Sequence, residues 1–249
     1  MVDFALLEHC VRDDLGEKAP RAMAVLRPIR VVLTNWPEGE TKALIVENHP
    51  DHPEMGTRTV TFGRELYIEQ EDFMEVPAKK YQRMFPGNEV RLKGAYIVKC
   101  EDCVKDAEGN VVEVHCTVDF DSLSGSAGAD RKIKGKTLHW VSAVDAVPFE
   151  ARLYEPLLMN EGDLEAEETE DGETATPDKK DFISRLNPNS LTVLEGVAEP
   201  CVKEAEVGAT YQFLRTGYFC KDPDSTPDKP VYNRVVGLRD TFGRQTKSN

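Results

Sequence analysis

The sequence predicts a mainly β protein made of two consecutive β-modules and opened by a single α-helix. Three observations carry that expectation. Short runs rich in β-branched and aromatic residues recur along most of the 249 residues, separated by Gly, Pro and Asn clusters. Apolar side chains at helical spacing open the chain, and little helix is expected after them. A Ser/Gly/Ala loop at 122–130 splits the strand runs into two sets, which suits barrels or sandwiches divided near residues 121–134.

Taken in order, Val2, Leu6, Leu7, Cys10 and Val11 fall at near-helical spacing and Gly16 offers a stop, so an amphipathic helix with an unpartnered stripe is expected. Strands follow at 25–33, 43–46, 58–62 and 65–68, then a short helical piece from Glu71. Residues 90–104 and 111–120 flank Asp106-Ala-Glu-Gly-Asn110, a hairpin turn because Gly and Asn tolerate positive φ. Further runs lie at 133–143, 145–158, 191–194, 210–215 and 231–236, with an acidic linker and a short helix near Phe182 among them. The polar tail from Gly243 is expected to fray.

A composition of 40% hydrophobic and 31% charged residues is that of a soluble globular chain. No apolar run approaches the roughly 20 residues of a membrane span, and no charged-then-apolar leader opens the sequence. Six scattered cysteines suit reduced thiols rather than a disulfide framework, which makes the cytoplasm the simplest address. The net charge of −14 argues at first against a nucleic-acid partner, since phosphates need positive patches. Nine acidic groups, however, sit between Glu161 and Asp178 with no base before Asp178; setting them aside leaves about −5, with which a local basic groove can coexist.

One stretch stands out against that background. Pro77 to Tyr96 holds Lys79, Lys80, Arg83, Arg91 and Lys93, with Tyr81, Phe85 and Tyr96 among them. Cations beside aromatic and amide groups suit unstacked bases, which offer π-faces, base edges and phosphates. Alternation over Arg91-Leu92-Lys93 puts the two cations on one face of a strand. A solvated basic helix followed by an ordinary strand accounts for the same residues.

Other chemistry finds less support. Cys100-x-x-Cys103 with His115 and Cys116 offers zinc-type ligands on two hairpin arms, but a single pair and an alternating strand fit core thiols equally well. His49 and His52 fall in a Pro- and Gly-bounded segment that reads as a rigid loop. There is neither a nucleophile elbow nor a Gly-rich phosphate loop. The residues describe a binding module with no assignable catalytic or metal site.

From Arg21-Ala-Met-Ala-Val25 onward a series of segments falls in a familiar order: Glu47-Asn-His-Pro50, Pro53-Glu-Met-Gly56, Glu89-Val-Arg-Leu92, Asp106-Ala-Glu-Gly-Asn110, Lys134-Gly135, His139-Trp-Val-Ser-Ala143, Ala198-Glu-Pro200, Gly217-Tyr-Phe-Cys220, Pro230-Val-Tyr-Asn-Arg234 and Gly237-Leu-Arg-Asp-Thr241. Over residues 15–242 the chain resembles the C-terminal anticodon-binding region of bacterial-type glutaminyl-tRNA synthetase. The resemblance implies two consecutive six-stranded β-barrels, with possible strand exchange. Residues 1–20 would end a helical subdomain, 21–130 form the proximal barrel, and 131–242 the distal barrel with an acidic disordered insertion at 160–180, before a tail at 243–249. The partner it implies is the anticodon stem-loop of a glutamine tRNA, bound by a monomer, with the catalytic and helical domains in cis. The family's His-Ile-Gly-His-type and Lys-Met-Ser-Lys-Ser-type signatures do not occur, so ATP, Mg and the charging reaction would belong to a parent catalytic domain, and no cofactor is expected in this chain.

Carried over residue by residue, the resemblance makes Arg21 a reader of the central anticodon base and Arg83 of the third. Arg91 and Lys93 would meet the first base and its phosphate, and Gln212 and Arg215 the central and third bases. Lys80 and Gln82 exchange the family's residue types, and Thr241 would lie near the anticodon stem. Lys93 stands where the family has Arg and lacks its planar fork, so looser discrimination is expected there. The physical expectation is one cleft where side chains from both modules meet three unpaired nucleotides. Two readings compete: the anticodon module of a glutamyl-type enzyme, and a protein-interaction module with no affinity for RNA.

Overall fold

The computed structural model describes residues 4–158, 183 and 185–239. Val2, the acidic insertion at 160–180, the short helix expected near Phe182, Thr241 and the tail at 243–249 lie outside the described residues.

The opening helix α1 spans Phe4–Lys18. It does not stop at Gly16, because the last carbonyls find partners. Gly16 O accepts from Arg21 Nη2 (2.9 Å) and His49 Nε2 (2.8 Å), and Leu15 O from Ala19 N–H (2.9 Å). Nor is its stripe wholly unpartnered. Val11 and Leu15 pack with Ala19 against Tyr218 and Val236, while Phe4 and Leu7 nearer the start stay exposed.

Two very short strands follow, β1 (Arg21–Ala22) and β2 (Ala24–Val25), then β3 (Pro28–Leu33). In β3 the period-2 pattern puts Ile29, Val31 and Leu33 inside and Arg30 outside. β4 (Thr41–Glu47) and β5 (Thr57–Gly63) form a two-stranded ribbon, and β6 (Glu65–Glu69) follows. The run expected at 90–104 is two strands, β7 (Glu89–Leu92) and β8 (Ile97–Lys105). Between them Gly94 has φ +68°, and a Cβ there would lie 2.8 Å from Val46 Cγ1, so the turn packs against the ribbon at a position where a side chain would be strained. β9 (Val111–Asp119) completes the hairpin at Asp106–Asn110.

The second half supplies β10 (Thr137–Leu138), β11 (Val141–Ser142), β12 (Val147–Tyr154) and β13 (Leu191–Ala198). Then come the short helix α2 (Cys201–Glu204), β14 (Thr210–Phe213), β15 (Gly217–Lys221) and β16 (Val231–Gly237). The strand expected to reach Arg215 ends at Phe213, since Arg215 turns with φ +65° into β15, a strand the sequence pattern had not marked.

These strands make two barrel-like sheets, as the mainly β pattern predicts. The first runs β10-β7-β8-β9-β3-β6-β11 and the second β1-β14-β15-β16-β12-β13-β2. Each therefore has seven strands, five from its own half of the chain and two short edge strands lent by the other half. β10 and β11 cover both edges of the first sheet, and β1 and β2 both edges of the second. The lent strands shield ladder edges that would otherwise stay open.

Side chains between β1 and β3 divide between two cores. Met23 and Val25 enter the first, around Trp36, Phe62, Tyr96 and Trp140, while Ala22, Ala24 and Leu26 enter the second, around Phe149, Phe213, Phe219 and Tyr232. A buried ion pair locks this crossing. Glu199 accepts from Met23 N–H and from Arg58 Nε and Nη2 (both 2.8 Å), and its own N–H donates to Met23 O (3.1 Å). Removing one partner of a buried pair leaves the other charge uncompensated. Glu199→Ala should therefore lower unfolding free energy in urea by about 3–5 kcal/mol. Adding Arg58→Ala should cost less than the two single losses combined; additivity would mean that the pair is not coupled.

Candidate nucleic-acid interface

β1 and β14 run parallel in the exchanged edge, and Arg21 is the register partner of Gln212. Both side chains line a hollow of about 430 Å³, with Lys93 and Arg58 on its wall. Arg21 is oriented by the helix end: Nη1 donates to Ala19 O (2.8 Å) and Nη2 to Gly16 O (2.9 Å). Gln212 Nε2 donates to Tyr218 Oη (2.8 Å), which fixes the amide. Lys93 reaches this hollow because it has left the strand: β7 ends at Leu92, and Lys93 opens the Gly94 turn. Arg91 and Lys93 thus do not share a strand face. Arg91 Nη2 donates instead to the carbonyls of Ala129 and Arg131, and its side chain lines neither hollow described here.

A second hollow, of about 320 Å³, lies across the turn after Phe213, with Leu214 on the first hollow and Arg215 on the second. Here Arg83 and Arg215, from opposite halves of the chain, meet on one buried carboxylate. Arg215 Nη1 and Nη2 grip Asp72 in a fork (2.6 and 2.7 Å), and Arg83 Nη1 lies 3.1 Å from Asp72 Oδ1. His139 Nδ1 sits 3.3 Å from Arg215 Nη1. Those contacts leave the parallel Nε–H and outer Nη2–H of Arg215 without an acceptor among the described residues, a donor pair that suits a base edge or phosphate. Burial alone would lower the Arg215 pKa, but the hydrogen bond and charge of Asp72 outweigh it and raise the value. Burial, aided by the Asp72 charge, pushes the neighbouring Tyr81 phenol up to about 12.

Lys80 and Gln82 line neither hollow. They sit exposed on a turn in which Lys80 has φ +70° and Gln82 O accepts from Lys136 N–H (2.8 Å). Pro77–Asn88 contains no helix. Thr241 lies outside the described residues. The single cleft expected from the sequence is thus two adjoining hollows, one with Arg21, Lys93 and Gln212 and one with Arg83 and Arg215.

The metal-type motif does not converge. Cys100 and Cys116 are buried register partners, and the neighbouring Cys100 thiol together with burial pushes the Cys116 thiol well up. His115, next along β9, turns outward to Asp102 (2.6 Å) and Glu113 (2.8 Å). His49 and His52 buttress the helix: His52 lies between Glu17 (3.0 Å) and Glu54 (2.8 Å), whose carboxylates raise its pKa.

Sequence reasoning passed over Asp72, His139, Arg58 and Glu199. Asp72 sits in a short acidic turn, Gln70–Asp72, that resembles solvated surface, and only the fold reveals its burial. Glu69 is similar. Burial raises its pKa, but the neighbouring His139 ring (3.6 Å) and hydrogen bonds from Leu26 and Arg27 N–H outweigh it and hold the carboxyl below its usual range. A lowered carboxylate pKa gives stability that is present above the unfolded value and lost as pH falls through the folded one. Glu69→Gln should therefore trail the parent in unfolding free energy at neutral pH, and the gap should close in acid below about pH 4. A gap independent of pH would reject the charged role.

The chain matches two models described as tRNA synthetases class I (E and Q), anti-codon binding domain, one over residues 19–119 and the other over 137–222. It is 51% identical over 242 residues to a protein of Clostridium perfringens named glutamine--tRNA ligase, covering 97% of this chain and 42% of that protein. A protein of the same name from Nitrobacter hamburgensis is 50% identical, over 98% of this chain and 41% of its own length. Another from Vibrio vulnificus is 48% identical, over 98% and 42%. The chain spans about two fifths of the length of these curated relatives.

Proposed function

This chain belongs to the anticodon-binding domains of the class I tRNA synthetases of the E and Q type, and on that premise we propose that it binds the anticodon loop of a glutamine tRNA, splaying the bases between its two hollows. The observation that carries the reading is the meeting of polar groups from both halves of the chain: Arg21 beside Gln212, and Arg83 with Arg215 on Asp72. Single-stranded loops are read this way, through hydrogen bonds to exposed base edges that leave buried donors unsatisfied when the base is wrong.

In this reading Arg21 and Gln212 face the central base, and Arg83 and Arg215 the third. Lys93 meets the first base as a point charge rather than a fork. Arg91, held by two carbonyls, acts on the same nucleotide from its far side, and Lys80 and Gln82 touch the loop from their exposed turn. Thr241 is kept as a contact to the stem. The longer protein would be a cytoplasmic, monomeric glutamine–tRNA ligase whose catalytic domain uses ATP and Mg to attach glutamine. This chain supplies recognition and no cofactor site. The curated names favour a glutamine over a glutamate anticodon.

Filter binding of anticodon stem-loops at several salt concentrations tests the proposal. Arg215→Ala should cost about 1–3 kcal/mol and relax choice at one base, whereas Lys79→Ala should weaken all sequences alike and flatten the salt dependence. Equal losses over every anticodon variant for Arg215→Ala would remove its reading role. Tight, salt-sensitive binding of glutamate-type anticodons with none for glutamine-type would overturn the assignment of the tRNA.

A further inference from the structure

We propose that the exposed segment at residues 132–136 is a phosphate-binding comb, a second RNA contact beside the base-reading hollows; it rests on the RNA-binding reading above. The segment reads Lys132-Ile-Lys-Gly-Lys136 and alternates in exposure, with the three lysines outward and Ile133 and Gly135 half-buried.

The comb is held in place from several sides. Gly135 crosses β7 so closely that a Cβ would lie 1.9 Å from Glu89 O, so the backbone there has no room for a side chain. Lys136 N–H donates to Gln82 O (2.8 Å), and Arg91 N–H donates to Lys136 O (3.3 Å). Just upstream, Arg91 Nη2 donates to the carbonyls of Ala129 and Arg131. The contact with Gln82 sets the comb against the turn holding Lys79 and Lys80.

Charge separates these lysines from most of the other cations, although Lys42, Lys93, Lys203 and Lys221 also lack a carboxylate among the described residues. Arg27, Arg30, Arg58, Arg83, Lys99, Lys105, Arg152, Arg215 and Lys229 each stand on a carboxylate. Glu89 and Asp119 beside the segment are taken by Arg131 at 2.8 Å each, and Asp130, two residues upstream of Lys132, pairs with none of the three lysines. Lys79, Lys80, Lys132, Lys134 and Lys136 have no ion-pair partner among the described residues. In a chain of net charge −14, five uncompensated ammonium groups on two adjoining segments form a local positive field suited to a polyanion. Their flexible stems carry no base-edge geometry, so the ligand they fit is the phosphodiester backbone of the same RNA.

The test compares the 249-residue chain with Lys132→Gln/Lys134→Gln/Lys136→Gln, using a glutamine-tRNA anticodon stem-loop over a salt series. Each lost single-strand phosphate contact removes about 0.7 from the slope of log K against log salt, so the triple variant should lose about 2. It should weaken every anticodon variant by the same factor while keeping the parent's preference among bases. A control with Lys18→Gln, Lys203→Gln and Lys229→Gln, on α1, on α2 and beside Glu150, should keep the parental slope. An unchanged slope in the comb variant, an equal loss in the control, or a loss confined to one base would each overturn the proposal. Salt-sensitive binding by the parent, with base preference lost in Arg215→Ala, would leave the RNA-binding reading standing in those cases. No salt-sensitive binding by the parent would end both.

Discussion

Two cores share one strip of chain, and the placement of the interface follows from how that strip is divided. From Ala22 to Leu26 the side chains alternate, with Ala22, Ala24 and Leu26 in the second core and Met23 and Val25 in the first. Ala22 and Ala24 are small where the second sheet closes in on the strip, and Met23 and Val25 fill the first core. Because the strip is fully extended, Arg21 is carried to the register of Gln212, a residue 191 positions away in the chain. Glu199 fixes the crossing by taking Met23 N–H and the Arg58 guanidinium together. A β-module that lent no strands would have open sheet edges and no fixed relation between Arg21 and β14.

The same logic governs the charges. Guanidinium groups in the second hollow are oriented by carboxylates: Arg83 and Arg215 by Asp72, Arg27 by Glu71, Arg234 by Glu155. Ion pairing reduces their net field but fixes their direction, and a fixed fork is what paired acceptors on a base edge require. One carboxylate serving two guanidiniums still leaves a positive balance. His139, buried between Arg215 and Glu69, fills the remaining space with a group that faces both charges.

Much of this was legible in the sequence, and the losses have physical causes. The strand pattern, the hairpin at Asp106–Asn110 and the β class followed from residue type and turn chemistry. The edge exchange could not be read from pattern, because two-residue strands carry no periodicity. Position 215 looked like strand because its neighbours are β formers; its φ of +65° is imposed by the turn into β15. Lys93 looked like the face-mate of Arg91 because alternation was extended one residue past the end of β7, where Gly94 takes over the geometry. Asp72 and Glu199 carried no local signal, since burial of a carboxylate is a property of what packs around it rather than of the residues beside it in sequence.

What remains is why an acidic chain should engage an anionic ligand, and the answer lies in where its cations are left uncompensated. Arginine is spent on fixed geometry, mostly balanced by a carboxylate or by backbone carbonyls. Lys99, Lys105 and Lys229 are paired too, but the lysines of the turn at 79–80 and of the segment at 132–136 have no ion-pair partner among the described residues. These are different uses of positive charge. A paired guanidinium discriminates, because its remaining donors point in set directions and a mismatched acceptor leaves them unsatisfied. An unpaired ammonium attracts, because its field is not cancelled and its stem adapts to wherever the phosphate lies. In the proposed reading, placing the second kind beside the first lets sequence-independent attraction bring a loop to the point where the fixed donors choose among its bases. The total charge of the chain then sets solubility, and the local arrangement sets recognition.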